Sequence, residues 1–133
     1  MIYLDTAALV KLVRREAASD ELVDWLNEQV NRILVSSSLV EVELPRALRR
    51  SEPSLLAAVP SILARVSVYD VDETVRTTAA AYQDPLIRSL DAIHLATADA
   101  VLGDDLTAFV TYDRRLLATA EAIGLPTASP GSK

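Results

Sequence analysis

Four acids in this 133-residue sequence stand where their carboxylates can act together, namely Asp5, Glu43, Asp91 and Asp113. Asp5 closes the apolar run Ile2-Tyr3-Leu4, and Asp113 follows Phe109-Val110-Thr111-Tyr112. Glu43 and Asp91 each lie near the start of a helical pattern. Unneutralised carboxylates about 4 Å apart repel by about 4 kcal/mol per pair at an effective dielectric of about 20, so a converged set requires cations or protons. An all-oxygen set selects Mg2+ or Mn2+ over zinc. The sequence has no cysteine, which removes thiolate-bound zinc, a Cys nucleophile and disulfides. The chemistry such a set offers is that of a bound divalent cation.

Glu43 makes the sharpest case. Leu39, Val40, Leu44, Ala47 and Leu48 form the apolar face of one helix, and Glu43 falls among them at i−4 and i+4. A carboxylate on that stripe must find a cation, a donor or a proton. Glu41 falls on the outer face with Pro45 and Arg49, and a capping box with Ser38 accounts for it. The other acids also have plain readings. The helix macrodipole alone favours Asp91 and Asp113 in a first turn, and a strand-end acid such as Asp5 also caps turns.

Thr6 and Thr111 stand beside acids, where a hydroxyl either holds a ligand or water or serves its local turn. His94, the single histidine, comes three residues after Asp91. That spacing invites a ligand or general-base role, but in a segment rich in Ala, Ile and Leu a packed, hydrogen-bonded histidine is the plainer reading. Asp99, about 12 Å along the helix from Asp91, is out of reach and is expected in solvent or at a cap. Trp25 and Tyr82 read as core or dimer packing, and no aromatic platform for stacking bases is present.

The elements that must position these groups alternate between strand and helix. Residues 1–4 read as a strand buried on both faces, 6–15 as a helix, and Ser19 as the cap of a second helix with Leu22, Leu26 and Val30 on its stripe. Residues 32–36 form the next strand, and Ser38 with Glu41 opens a helix that Pro45 should kink near Val42 and Glu43. Ser51-Glu52-Pro53 restarts a helix that Pro60 ends or bends before a strand at 66–71. Asp72 caps a helix reaching about Tyr82, Asp84-Pro85 turns the chain, and 90–102 form a helix ended by Gly103. Residues 107–111 are the fourth strand, 114–123 the last helix stopped by Gly124, and 125–128 a short edge strand.

This order predicts an α/β fold: a three-layer α/β/α sandwich around a central parallel sheet of four or five strands, in one domain over 1–133. In an open parallel sheet, ligands sit beyond the carboxyl ends of the strands. All four acids fall at that edge, each from a separate segment.

The charge balance cuts the other way. A formal net charge of −6 is unusual for a nucleic-acid binder, which needs a basic face. Setting the four acids against bound cations removes most of the excess. Eleven of the thirteen basic residues are Arg, whose planar fork suits phosphate. Arg46, Arg49 and Arg50, with Arg114 and Arg115, lie near the acidic rim, and either touch phosphate or form a solvated face. The apolar stretches are short and interrupted by charge, and no basic segment with a long apolar run opens the chain. No signal peptide or membrane span is expected, and the missing cysteines fit a reducing cytosol.

The segments Ile2-Tyr3-Leu4-Asp5-Thr6-Ala7-Ala8, Val42-Glu43-Leu44, Leu90-Asp91-Ala92-Ile93-His94-Leu95-Ala96 and Val110-Thr111-Tyr112-Asp113, in that order, resemble PIN domains, specifically VapC-type toxins. The resemblance spans nearly the whole chain. It implies a parallel-sheet fold, Mg2+- or Mn2+-dependent hydrolysis of RNA phosphodiesters at Asp5, Glu43, Asp91 and Asp113, inhibition by a VapB-type antitoxin occupying the acidic pocket, and a homodimer in the cytoplasm. On that reading Arg46 and Arg114 are candidate RNA contacts.

Two rivals stand beside it. Aspartate-based phosphotransfer also places an Asp after the first strand, but Ala7 stands where such phosphatases want a second Asp, and neither Lys11 nor Lys133 fits the receiver pattern. A catalytically silent RNA- or protein-binding module of the same fold is disfavoured by the intact acidic set.

Overall fold

The computed structural model describes residues 1–29 and 31–132; Val30, expected on the stripe of the second helix, and Lys133 lie outside the described residues. Five parallel strands form one sheet in the order β3-β2-β1-β4-β5: β1 is Ile2–Leu4, β2 Leu34–Ser37, β3 Ser67–Tyr69, β4 Ala108–Val110 and β5 Thr127–Ala128. The central strand β1 pairs with β4 through Ile2↔Ala108, Tyr3↔Phe109 and Leu4↔Val110. Every residue of β1 and β4 is buried, as a parallel strand covered on both faces requires.

Alternation along the strands builds two cores. Ile2, Leu4 and Val110 face one side, where they meet α1 (Thr6–Val13), α2 (Ser19–Glu28), α3 (Val40–Ser51) and α4 (Val59–Leu63) through Leu9, Leu22, Leu44, Leu48 and Val59. Tyr3, Val35 and Phe109 face the other side and meet α6 (Ser89–Ala96) and α7 (Arg114–Ala122) through Leu95, Leu116 and Ala120. Helix α5 (Glu73–Ala81) packs on α6. The three-layer expectation and the five-strand count both hold. Each fully buried Leu or Phe side chain contributes roughly 1.5–3 kcal/mol. No helix among the described residues is long and apolar enough to cross a membrane.

Some local expectations change. Ser38 and Glu41 form no capping box: α3 starts without a side-chain cap, and the Ser37 hydroxyl instead accepts from the Leu39 amide at 3.2 Å. The chain leaves β2 so tightly that Ser37, not Ser38, reaches the first free amide. Ser19 is the first residue of α2, not its cap; its hydroxyl accepts from the Glu16 amide and donates to the Arg14 carbonyl. Pro60 does not end a helix but sits in the first turn of α4, where its missing N–H costs nothing. Helix α6 continues past Ala96 as a wider π turn, Thr97–Leu102, up to Gly103. Asp72 caps α5 by accepting from the Val75 amide, and Gly124, at φ +88, ends α7 in a conformation that favours glycine.

Candidate active site

The strand order reverses at β1, since the chain builds outward to β2 and β3 and then crosses back to β4 and β5. That reversal opens a crevice beyond the carboxyl ends of β1 and β4. Asp5 follows β1 directly, and Asp113 follows β4 after Thr111 and Tyr112. Both act as N-caps. Asp5 Oδ1 accepts from the Ala8 amide at 3.0 Å, and Asp113 Oδ1 accepts from the Arg115 and Leu116 amides at 2.9 Å each. The plain capping reading of Asp5 is therefore correct, Asp113 caps α7 rather than sitting in its first turn, and neither role is exclusive. A carboxylate has two oxygens, and capping through one fixes the group while leaving the other available.

Asp91 enters from the first turn of α6, and Glu43 from α3, between the buried Val40 and Leu44. Glu43 has already found donors: the Thr6 hydroxyl donates to its Oε1 at 2.7 Å, and His94 Nε2 lies 2.8 Å from the same oxygen. Its place on the apolar stripe is thus satisfied by hydrogen bonds, and its burial alone does not demand a cation. The Thr6 hydroxyl thus holds another segment's carboxylate rather than serving its local turn. Thr111 accepts from the Asp113 amide at 3.2 Å, and its hydroxyl also bears on Asp5.

All four carboxylates line one cavity of about 500 Å³, together with Thr6 and His94. Among the described residues, no three His, Asp or Glu side chains are drawn together into a shell that would already hold a metal ion. The electrostatics still couple them. Burial pushes the Asp91 carboxyl up, and the charges of Asp113, Asp5 and Glu43 add to it. Burial also raises Asp5, with Asp113 adding a smaller push against His94, the Thr111 hydroxyl and the Ala8 amide. Glu43 goes the other way: burial would raise it, but the hydrogen bonds from His94 and Thr6 outweigh that and hold it below the usual carboxylate range. Oxygen donors that crowd one cavity with like charge are the donor set a hard divalent cation fits.

A second cavity of about 650 Å³ shares Asp91 and Asp113 with the first and is walled by Arg88, Arg114 and Arg115. Arg114 therefore stands where a phosphate contact would be useful. Arg46 is exposed and lines neither cavity, because it lies about 60° round α3 from Glu43. Arg50, almost in line with Glu43, lines the acidic cavity instead, as does Arg14, which is paired to Glu16 at 2.7 Å. Sequence reasoning misses Arg14 and Arg88; the position of Arg88, three residues before Asp91, is the available signal. His94 is buried and hydrogen-bonded as the plainer reading expects, but its partner is a site acid. Asp99 is half-buried and caps no helix; it accepts from the Tyr82 hydroxyl at 2.9 Å.

Residues 2–122 match the family model described as the PIN domain. The chain belongs to the PIN-domain family. This PIN domain is 53% identical to Ribonuclease VapC35 of Mycobacterium tuberculosis, over 98% of each chain. It is 41% identical to Ribonuclease VapC47 of the same organism over 99% of this chain and 98% of the relative, and 40% identical to Ribonuclease VapC46 over 97% of each. The identities span the whole PIN domain, so the segments carrying all four acids fall inside the similarity.

Proposed function

We propose that this chain is a divalent-cation-dependent endoribonuclease, the toxin of a toxin–antitoxin pair, with Asp5, Glu43, Asp91 and Asp113 holding Mg2+ or Mn2+. One observation carries the reading: four carboxylates from four separate segments line one cavity at the reversal of the sheet. The ribonuclease names of its relatives support it.

When bound, the cation would activate water for in-line hydrolysis of a phosphodiester and offset the charge that develops on phosphate. The protein's part is placement. Asp5 and Asp113 are anchored by the helix ends they cap, and Glu43 by Thr6 and His94. Arg114 and Arg88 offer flat donor forks to phosphates flanking the cut. A cognate VapB-type antitoxin occupying the acidic cavity would block both cation and RNA. A homodimer and a cytoplasmic location belong to the same reading and rest on family membership.

The test is cleavage of a structured RNA by purified protein with Mg2+ or Mn2+. EDTA should stop it, and Asp5→Asn should abolish it while the protein stays folded. Undiminished cleavage by the Asn variant would overturn the assignment. Mapping the cut ends in total RNA then names the substrate.

A further inference from the structure

His94 is 2% exposed, and both of its ring nitrogens are engaged. Nδ1 lies 2.6 Å from the Tyr3 hydroxyl, while Nε2 lies 2.8 Å from Glu43 Oε1 and 3.2 Å from Thr6 Oγ1. We propose that Tyr3 and His94 are a buried positioning pair for Glu43: the Tyr3 hydroxyl donates to Nδ1, fixing the imidazole as the Nε2–H tautomer and aiming that N–H at the carboxylate. The functional consequence rests on the reading of Glu43 as a cation ligand.

The assignment follows from counting protons. A carboxylate oxygen only accepts, so the proton between Nε2 and Oε1 belongs to Nε2. Thr6 gives its own proton to the same oxygen and has none for the ring. At Nδ1 the available donor is the Tyr3 hydroxyl, 2.6 Å away. The neighbouring hydroxyls of Ser36 and Thr97 donate elsewhere, to the carbonyls of Leu4 and Ile93. With the opposite tautomer, the Nε2 lone pair would face the carboxylate and repel it.

The pair is also held in place. The imidazole meets the Tyr3 ring edge-on, with centroids 5.8 Å apart, and Tyr3 in turn stacks on Phe109 at 5.3 Å. Order in the centre of the sheet thus reaches an acid on α3 through two side chains. A tautomer-fixing partner on a histidine is a common way to orient groups around a metal.

Because His94 is the single histidine, imidazole 15N–1H correlation spectra of the metal-free wild type at neutral pH report on it directly. The expected state has Nε2 protonated and Nδ1 bare; any other state overturns the proposal. Tyr3→Phe, checked for folding by circular dichroism, should leave Nε2 protonated and move the bare Nδ1 resonance downfield as its hydrogen bond is lost; an unmoved Nδ1 resonance overturns the proposal. Mn2+ affinity supplies a measurement that needs no change at Tyr3. His94→Leu should weaken binding by about tenfold, and His94→Gln, which keeps an N–H near the Nε2 position, should recover most of the loss. A folded Leu variant that binds Mn2+ as tightly as wild type overturns the proposal. A wild type that binds no Mn2+ overturns the cation reading itself, a separate failure, since the tautomer spectrum does not involve the ion.

Discussion

The Thr6 hydroxyl donates to Glu43 Oε1 at 2.7 Å, tying the first turn of α1 to the first turn of α3 across 37 positions of sequence. Thr6 is the residue that follows Asp5 in the chain, so the bond ties Glu43 to the segment that carries Asp5.

Thr6→Val keeps the shape of the side chain and removes the donor. Glu43 then relies on His94 alone, and Mn2+ binding measured by titration calorimetry should weaken by about tenfold. Thr6→Ser should stay close to wild type. Equal affinities in the Val and Ser variants would show that the bond has no part in holding the carboxylate for an ion.

Asp5→Asn should raise the thermal stability of the metal-free protein. Asn caps a helix about as well as Asp, while the buried charge disappears. The sign follows from linkage: burial raises the folded pKa of Asp5 above its ordinary 3.8, so the folded state binds more protons and wild-type stability falls as pH rises through that window. The gap in Tm between variant and wild type should be small near pH 3.8, open as pH rises, and reach a few degrees at neutral pH. A gap that is flat with pH would remove the electrostatic explanation.

Mn2+ should stabilise the folded chain by mass action. At a free concentration of 100 times Kd the gain is about 2.7 kcal/mol, read as a rise in Tm that EDTA reverses. Asp91→Asn should show a much smaller rise, since Asp91 is the acid that all three of the others push upward. An equal rise in both proteins would place the ion elsewhere.

Arg88→Ala and Arg114→Ala should each weaken RNA binding and lower the slope of log affinity against log salt by about 0.7 for a single strand. Arg46→Ala should change neither, because it lines neither cavity. Binding by fluorescence anisotropy over a salt series separates these outcomes.

The sheet was legible from the short, wholly apolar runs around Ile2-Tyr3-Leu4 and Ala108-Phe109-Val110, since a parallel strand buried on both faces leaves no other pattern. The rim position of the four acids was legible for the same reason, because each acid abuts the end of such a run or the start of a helix. The start of α3 was not. Ser37 and Ser38 are chemically alike, and only the path of the chain leaving β2 decides which hydroxyl meets the free amide. The bond between His94 and Glu43 was equally hidden, since it joins residues 51 positions apart on different elements. Spacing within α6 brings His94 towards Asp91 and says nothing about α3.

The pairing of β1 with β4 fixes when the cavity can come into being during synthesis. Asp5 is made well before Asp113, and the wall that carries Asp113 exists only after residues through α7 are free to insert beside it. A partly translated chain therefore lacks one side of the acidic cavity. On the proposed reading, the strand order keeps a nascent toxin inert beside the RNA that encodes it until α7 has been made.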